Sequence, residues 1–410
     1  MKIINVIKEV WHFLLRRRQY ALLKPYLKSV PQIIKEVRHK DKIKVLFVVN
    51  TISKWKTEAL FAAMQKHPRF EPIVGLAINP SDYPSEVINK LKSVKAYLEQ
   101  KNYHYVEISL FYPFASDNGI DIVFFNEAHF ANYTLFNSHQ KVLYCYVGYC
   151  FETTNTKSFL NSLYQNVCWQ YFVENQMLVD YAKQMMDNKA RNMVVTGLPI
   201  VEELMTDKSL MPNPWKKQSQ NKKRIIWAPH HTIGVNTDTI HFGSFLSIAD
   251  DMVRFAEQYK EKVQFAFKPH PALLAKLTEV WGKEKADAYY TRWAIMENTQ
   301  LEEGRYVELF KYSDAIIQDS ASFIIEYLYM QKHCIHIDNG QDHEFNEFTQ
   351  LCYNQYHHGS SAADIETFIQ NVIGEVDYQK EERNKFFNNY LLPPNGQSAS
   401  QNIINAILGE

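Results

Sequence analysis

Two Rossmann-like α/β lobes with parallel sheets, joined in series and facing a cleft, are the architecture this chain predicts, on three observations. Short apolar runs of strand length alternate with amphipathic helix-length stretches along most of the 410 residues. The alternation stops once, at a Pro- and Lys-rich stretch near the middle, and then starts again. At about 150 residues per domain, a chain of this length holds two or three. Ligands of such sheets bind beyond the C-terminal strand ends, so those ends are where chemistry is sought.

The first element, residues 2–16, predicts an amphipathic helix. Ile3, Ile7, Val10 and Leu14 share a face with Ile4, Val6 and Trp11, and Asn5, Lys8, Glu9, His12 and Arg16 take the other. Arg17 and Arg18 follow, then a second apolar and basic stretch over 24–44, punctuated by Pro25 and Pro31. Residues 1–44 hold twelve Lys or Arg against three Asp or Glu, although the whole chain carries 45 of each. A basic end on an otherwise acidic protein points to an anionic partner. An apolar face with flanking cations suits a helix lying in the plane of an anionic membrane, each basic side chain contributing roughly 1 kcal/mol. The plainer alternative is that the segment packs on the first lobe. A nucleic-acid arm fits less well, because Gly/Ser-rich flexibility is missing and the apolar face is strong. No uncharged apolar run reaches 18 residues, so no transmembrane helix is expected, and the start lacks the clean apolar core and small-residue cleavage site expected of a secretion signal. Five cysteines at irregular spacing fit reduced buried thiols better than a zinc framework.

The first lobe is expected over 43–206, with strands at 43–49, 72–78, 105–108, 121–126, 141–149, 167–173 and 193–196. Helices fall at 55–66, 84–101 and 175–187. Residues 207–223 read as a linker, broken by Pro212 and Pro214. The second lobe is expected over 224–410, with strands at 224–228, 263–267, 315–318 and 334–337. Its helices fall at 243–259, 271–282, 322–331, 363–374 and 398–408.

Three strand ends of the second lobe carry chemistry. One reads Ala228-Pro229-His230-His231-Thr232-Ile233-Gly234, the next Phe267-Lys268-Pro269-His270-Pro271, and the third Gln318-Asp319-Ser320-Ala321-Ser322. Ser320, Ser322 and the first N–H groups of the helix they open can hold a phosphate. Lys268 and His270 can neutralise a diphosphate, and His230 or His231 can supply a donor or base. Each signal alone has an ordinary reading, such as an N-cap serine or a surface lysine; three at consecutive strand ends favour a site. No GxGxxG, P-loop, HExxH or metal-binding D-x-D occurs, so nicotinamide enzymes, NTPases and zinc proteases lose support, and neither metal nor cofactor is expected.

These residues resemble the CDP-glycerol glycerophosphotransferases, the teichoic acid primases and polymerases with their capsule-type relatives. Ile225-Ile226-Trp227-Ala228-Pro229 is similar to that family's strand ending in Ala-Pro. Lys268-Pro269-His270-Pro271 resembles its basic-Pro-His-Pro element. The run from Ser313 to Ser322, followed by Glu326-Tyr327, resembles its Asp-x-x-Ile-Thr-Asp-Tyr-Ser-Ser segment. Asn395-Gly396-Gln397-Ser398-Ala399-Ser400 resembles its closing Asp-Gly-x-Ala-Ser, and Thr196-Gly197-Leu198-Pro199 its Gly-x-Pro turn. The likeness covers about residues 190–408. It implies a GT-B fold at the cytoplasmic membrane face and a CDP-linked donor on the second lobe. Lys268, His270, Asp319, Ser320, Ser322, Glu326 and Thr232 would lie on the donor side, with His270 on the phosphates and Glu326 on the ribose. An acceptor hydroxyl would attack the distal phosphorus and CMP would leave, a reaction that needs mainly positioning and charge stabilisation. The acceptor would be a polymer or glycolipid, with Gly148, Tyr149 and His129 facing it.

One departure stands out. The family's Trp-His-Gly element, whose His is the usual base, has its counterpart in Tyr146-Val147-Gly148, with Val147 in the His position. The base is then sought among His230, His231, Glu127 and His129. Two other readings compete: a sialyltransferase-like enzyme using a CMP-sugar, and a non-catalytic nucleotide- or polymer-binding scaffold. Glu302-Glu303-Gly304 matches the acidic motif of the sialyltransferases but lies after the His-Pro pair instead of before it. Retention of Lys268, His270, Ser320 and Ser322 argues against the scaffold.

Overall fold

The computed structural model describes residues 2–78, 84–109, 114–128, 141–233, 241–341 and 344–410. They divide into two compact units. The first comprises Met1–Phe151, Thr156–Ile200 and Pro393–Glu410, the second Glu152–Asn155 and Val201–Leu392.

The first unit opens with α1 (Lys2–Arg38), one helix through both Pro25 and Pro31. The sequence predicted an interrupted segment, since an interior proline costs about 3 kcal/mol. Burial of Leu23, Tyr26, Ile33 and Val37 offsets that cost. Tyr26 donates to the Val142 carbonyl at 3.0 Å and meets the Tyr144 ring edge-on at 5.8 Å. The later half of α1 therefore packs on the first lobe, while Trp11, Leu14 and Leu22 remain 57–62 % exposed.

The strands β1 (Ile43–Val49), β2 (Phe70–Ala77), β3 (Tyr105–Ile108), β4 (Ile122–Phe125), β5 (Leu143–Val147), β6 (Gln170–Val173) and β7 (Met193–Val195) form a parallel sheet. Their order is β3-β2-β1-β4-β5-β6-β7. Every residue of β4 and β5 is buried, as a sheet covered on both faces requires. Connecting helices include α2 (Glu58–Lys66), α3 (Pro84–Gln100) and α4 (Gln176–Met185).

The second unit repeats the plan with β8 (Lys223–Ala228), β9 (Val263–Phe267), β10 (Thr299–Leu301), β11 (Ala315–Gln318), β12 (His333–Ile337) and β13 (His357–Gly359). All pairings are parallel, in the order β10-β9-β8-β11-β12-β13. The edge strands β10 and β13, three residues each, were not expected from the sequence. The helices α5 (Phe245–Gln258), α6 (Leu273–Trp281), α7 (Lys283–Ile295), α8 (Ala321–Leu328) and α9 (Ala362–Ile373) cover the sheet. Trp227 anchors the core on one face, stacked on Phe245 at 5.4 Å and Phe267 at 4.9 Å.

Two boundaries differ from expectation. The stretch read as a linker packs on the second unit: Trp215 is buried, its indole N–H donates to the Leu309 carbonyl at 3.3 Å, and the Lys216 N–H bonds Gln300. The last helix, α10 (Ala399–Leu408), belongs to the first unit and not to the second lobe. Asn402 donates to the Thr196 carbonyl, and the Arg38 guanidinium caps the helix end at Ile407 and Ala406, 3.0 and 3.1 Å away. Gly409 follows in the left-handed conformation, and a Cβ there would meet that guanidinium at 2.8 Å. Replacing Arg38 by Ala should lower unfolding stability by about 2 kcal/mol in urea titration, two hydrogen bonds from a charged group being lost.

Candidate active site

In the second unit β8 and β11 are neighbours, but the chain leaves them in opposite directions, to β9 and to β12. Their C-terminal ends therefore open a crevice at the switch point of the sheet. Pro229 follows β8 and offers no N–H; its carbonyl accepts from the His270 N–H at 3.1 Å, and the Lys268 N–H donates to the Trp227 carbonyl. These bonds hold the ends of β8 and β9 side by side.

Asp319, just past β11, closes the other side. One carboxylate oxygen accepts from the His230 N–H at 2.6 Å; the other accepts from the N–H and hydroxyl of Ser244, at 2.6 and 2.7 Å. Burial raises the Asp319 carboxyl above its usual range, with the three donors opposing. Ser244 precedes α5 but does not cap it, because its hydroxyl is turned to Asp319.

The imidazoles of His230, His231 and His270 meet above these strand ends. Ring centroids lie 4.2 Å apart for His230–His231 and His231–His270, and 5.1 Å for His230–His270. One nitrogen from each falls within 4.8 Å of the others, a spacing compatible with a cation or with several N–H donors on one anion. Burial holds His230 well below the usual imidazole range, and the two neighbouring rings add to the shift. Lys268, just past β9, is buried, and its charge partly offsets the upward push of burial on Glu302. Thr232 is buried, paired with His230 Nδ1. Thr232 and Ser244 also line a depression of ≈ 720 Å³ with Gly243, Ser247, Asp338 and Asn339.

Other expected residues take different places. Ser320 directs both its N–H and its hydroxyl to the Gln318 side-chain carbonyl, so its side chain does not cap α8. Ser322 lies half-buried in the first turn of that helix. Glu326 is 2 % exposed and accepts from the Tyr306 hydroxyl, which places its carboxylate in packed interior. Ser244 and Gln318 were not anticipated; a serine before a helix reads as a cap, and Gln318 as a strand residue.

The first unit has its own switch point, between β1 and β4. Glu127 sits there with both oxygens engaged, by Asn50 at 2.7 Å and the Lys54 ammonium at 2.5 Å. That ammonium lies 5.3 Å from the Tyr149 ring, and the Tyr149 N–H donates to the Asn126 carbonyl. Gly148 separates Tyr149 from Val147, which is fully buried at the end of β5. His129 lies outside the described residues.

The chain belongs to the CDP-Glycerol:Poly(glycerophosphate) glycerophosphotransferase family, which it matches over residues 33–409. It is thus an enzyme that transfers a polyol phosphate from a cytidine-nucleotide donor. Solved structures similar to it include a variant of the wall teichoic acid polymerase TagF with CDPG, at 12 % identity and a TM-score of 0.59, covering 95 % of this chain and 97 % of that one. UDP-GlcNAc 2-epimerase from Neisseria meningitidis bound to UDP-GlcNAc is also similar, at 16 % identity and 0.57, covering 90 % and 100 %. Identities this low establish the fold alone: two parallel-sheet lobes of the GT-B kind. No curated protein matches the sequence. Neither the CMP-sugar reading nor the non-catalytic one gains support.

Two outcomes follow. Asp319→Asn places an amide N–H₂ against donors and should destabilise the protein by about 2–3 kcal/mol in urea unfolding. His230, His333, His357 and His358 all have pKa values lowered by burial. The unfolded chain binds those protons near pH 6.5 and the folded one does not. The unfolding free energy should therefore fall as pH drops below about 6.5, by up to about 1.4 kcal/mol per pH unit for each histidine that remains neutral, and thermal melts should show the melting temperature falling with it.

Proposed function

We propose that the second unit binds the diphosphate of CDP-glycerol or CDP-ribitol at the ends of β8, β9 and β11, and that the enzyme passes the polyol phosphate to a hydroxyl of a teichoic- or capsule-type polymer. The observation that supports this most is the meeting of the His230, His231 and His270 rings at these strand ends, next to a switch point, with Lys268 buried just past the end of β9. These groups offer N–H donors and a positive charge to phosphate oxygens. The first N–H groups of α8, beside Ser320 and Ser322, add a helix N-terminus. The acceptor oxygen forms a bond to the distal phosphorus, the P–O bond of the anhydride breaks, and CMP leaves with the electron pair. The hydroxyl proton passes to a base, for which His231 is the candidate within the second unit. No metal or cofactor takes part in this scheme.

Purified protein with an oligomeric polyol-phosphate acceptor should release CMP from CDP-glycerol or CDP-ribitol and not from CMP-sialic acid. His270→Ala should reduce kcat/KM by about 100-fold or more, the loss typical of one preorganised donor. Full activity in that variant refutes the site, and release from CMP-sialic acid alone refutes the donor class.

The enzyme works at the inner membrane face on this reading, held by the start of α1. Trp11 and Leu14 are exposed there, with exposed Arg17 and Arg18 nearby. The protein should sediment with phosphatidylglycerol vesicles and not with phosphatidylcholine vesicles. Reversing Arg17 and Arg18 to Glu should weaken sedimentation by at least about tenfold, at roughly 1 kcal/mol per basic residue.

A further inference from the structure

The Thr232 hydroxyl has one proton and two lone pairs. Both lone pairs are occupied: the N–H groups of Phe242 and Gly243 donate to Oγ1, each at 3.0 Å. His230 Nδ1 lies 2.9 Å from the same oxygen. The hydroxyl proton must then point at Nδ1, which is the acceptor. The Thr232 N–H is directed at the same nitrogen from 3.4 Å. A neutral imidazole that accepts at Nδ1 carries its proton on Nε2.

His270 reaches the same state by another route. The Ala272 N–H donates to its Nδ1 at 3.1 Å, in the turn that opens α6. Gly243 makes the Thr232 arrangement possible, since a Cβ at that position would come within 2.8 Å of the Thr232 carbonyl oxygen.

We infer that Thr232 is a positioning residue: it holds His230 as the Nε2–H tautomer, as the Ala272 N–H holds His270, so that both rings present neutral N–H donors to the donor's diphosphate and take up no proton. This rests on the placement of a diphosphate at these strand ends. It removes His230 and His270 from the candidate bases. It also makes the pair poor metal ligands, because the lone pair that a cation would need is committed at Nδ1 in each ring.

The test combines a spectroscopic and a binding readout on the full chain. In protein labelled with ¹⁵N-histidine, His230 and His270, assigned by substitution, should each show an unprotonated Nδ1 and a protonated Nε2 at pH 7. Thr232→Ser should keep the His230 pattern, whereas Thr232→Val should lose it. Affinity for CDP, measured by titration calorimetry, should fall about fivefold in Thr232→Val, one neutral hydrogen bond's worth, and stay within about twofold in Thr232→Ser. A wild-type His230 protonated at Nδ1, or zinc retained stoichiometrically by the three rings, overturns the inference whatever the valine variant does. A correct tautomer with unchanged CDP affinity in a folded Thr232→Val protein overturns the positioning role. Wild-type protein that fails to bind CDP at all instead refutes the underlying placement of the donor.

Discussion

The buried carboxylate of Asp319 is the constraint from which the rest of the second unit's site follows. It lies at the end of β11 and collects donors from two places far away in sequence, the turn after β8 and the residue before α5. A carboxylate this deeply buried is tolerated only with its oxygens hydrogen-bonded. Satisfying it fixes where the backbone of His230 and the start of α5 must be. Once His230 is fixed, Thr232 lies two residues on, within reach of its ring, and the backbone at 242–243 is drawn onto the Thr232 hydroxyl. One charged group thus sets a chain of shorter-range contacts that ends in the orientation of an imidazole.

The two units share a plan and differ in how they fill it. Each sheet reverses strand order beside its first strand, and each has a carboxylate at that reversal, Asp319 in one and Glu127 in the other. Asp319 takes uncharged donors and is sealed in; Glu127 takes an ammonium and an amide nearer the surface. The first arrangement is a structural brace under a cluster of donors. The second leaves a partly exposed polar group next to Tyr149. Val147 is apolar and buried at the end of β5, so that position offers no proton acceptor.

Most of the sheet was legible in the sequence, because parallel strands buried on both faces read as plain apolar runs. The runs at 43–49, 105–108, 263–267 and 315–318 coincide with strands residue for residue. The edge strands β10 and β13 were not expected, whereas β7, equally short and also at an edge, was read from its apolar Met193-Val194-Val195 run. The prolines of α1 misled: local propensity argues for a break, and only the packing of Leu23, Tyr26, Ile33 and Val37 outweighs it. The three histidines were placed at the site by their positions after strands. Glu326 was expected at the ribose, on a position in a motif; its burial against Tyr306 is a tertiary fact that no spacing encodes.

The sequence by itself determined the two-lobe parallel architecture, the run of histidines, lysine and serines after three strands of the second sheet, and the class of transfer that the motifs imply. Hydrophobic period, strand-terminating prolines and residue type carry that information locally. The tertiary structure decided which donors face which acceptors: that Ser244 serves Asp319 instead of its own helix, that α10 joins the first unit, and that Thr232 settles the protonation of His230. These outcomes depend on matching buried hydrogen-bond partners across tens of residues, and such matching exists only once the chain has folded.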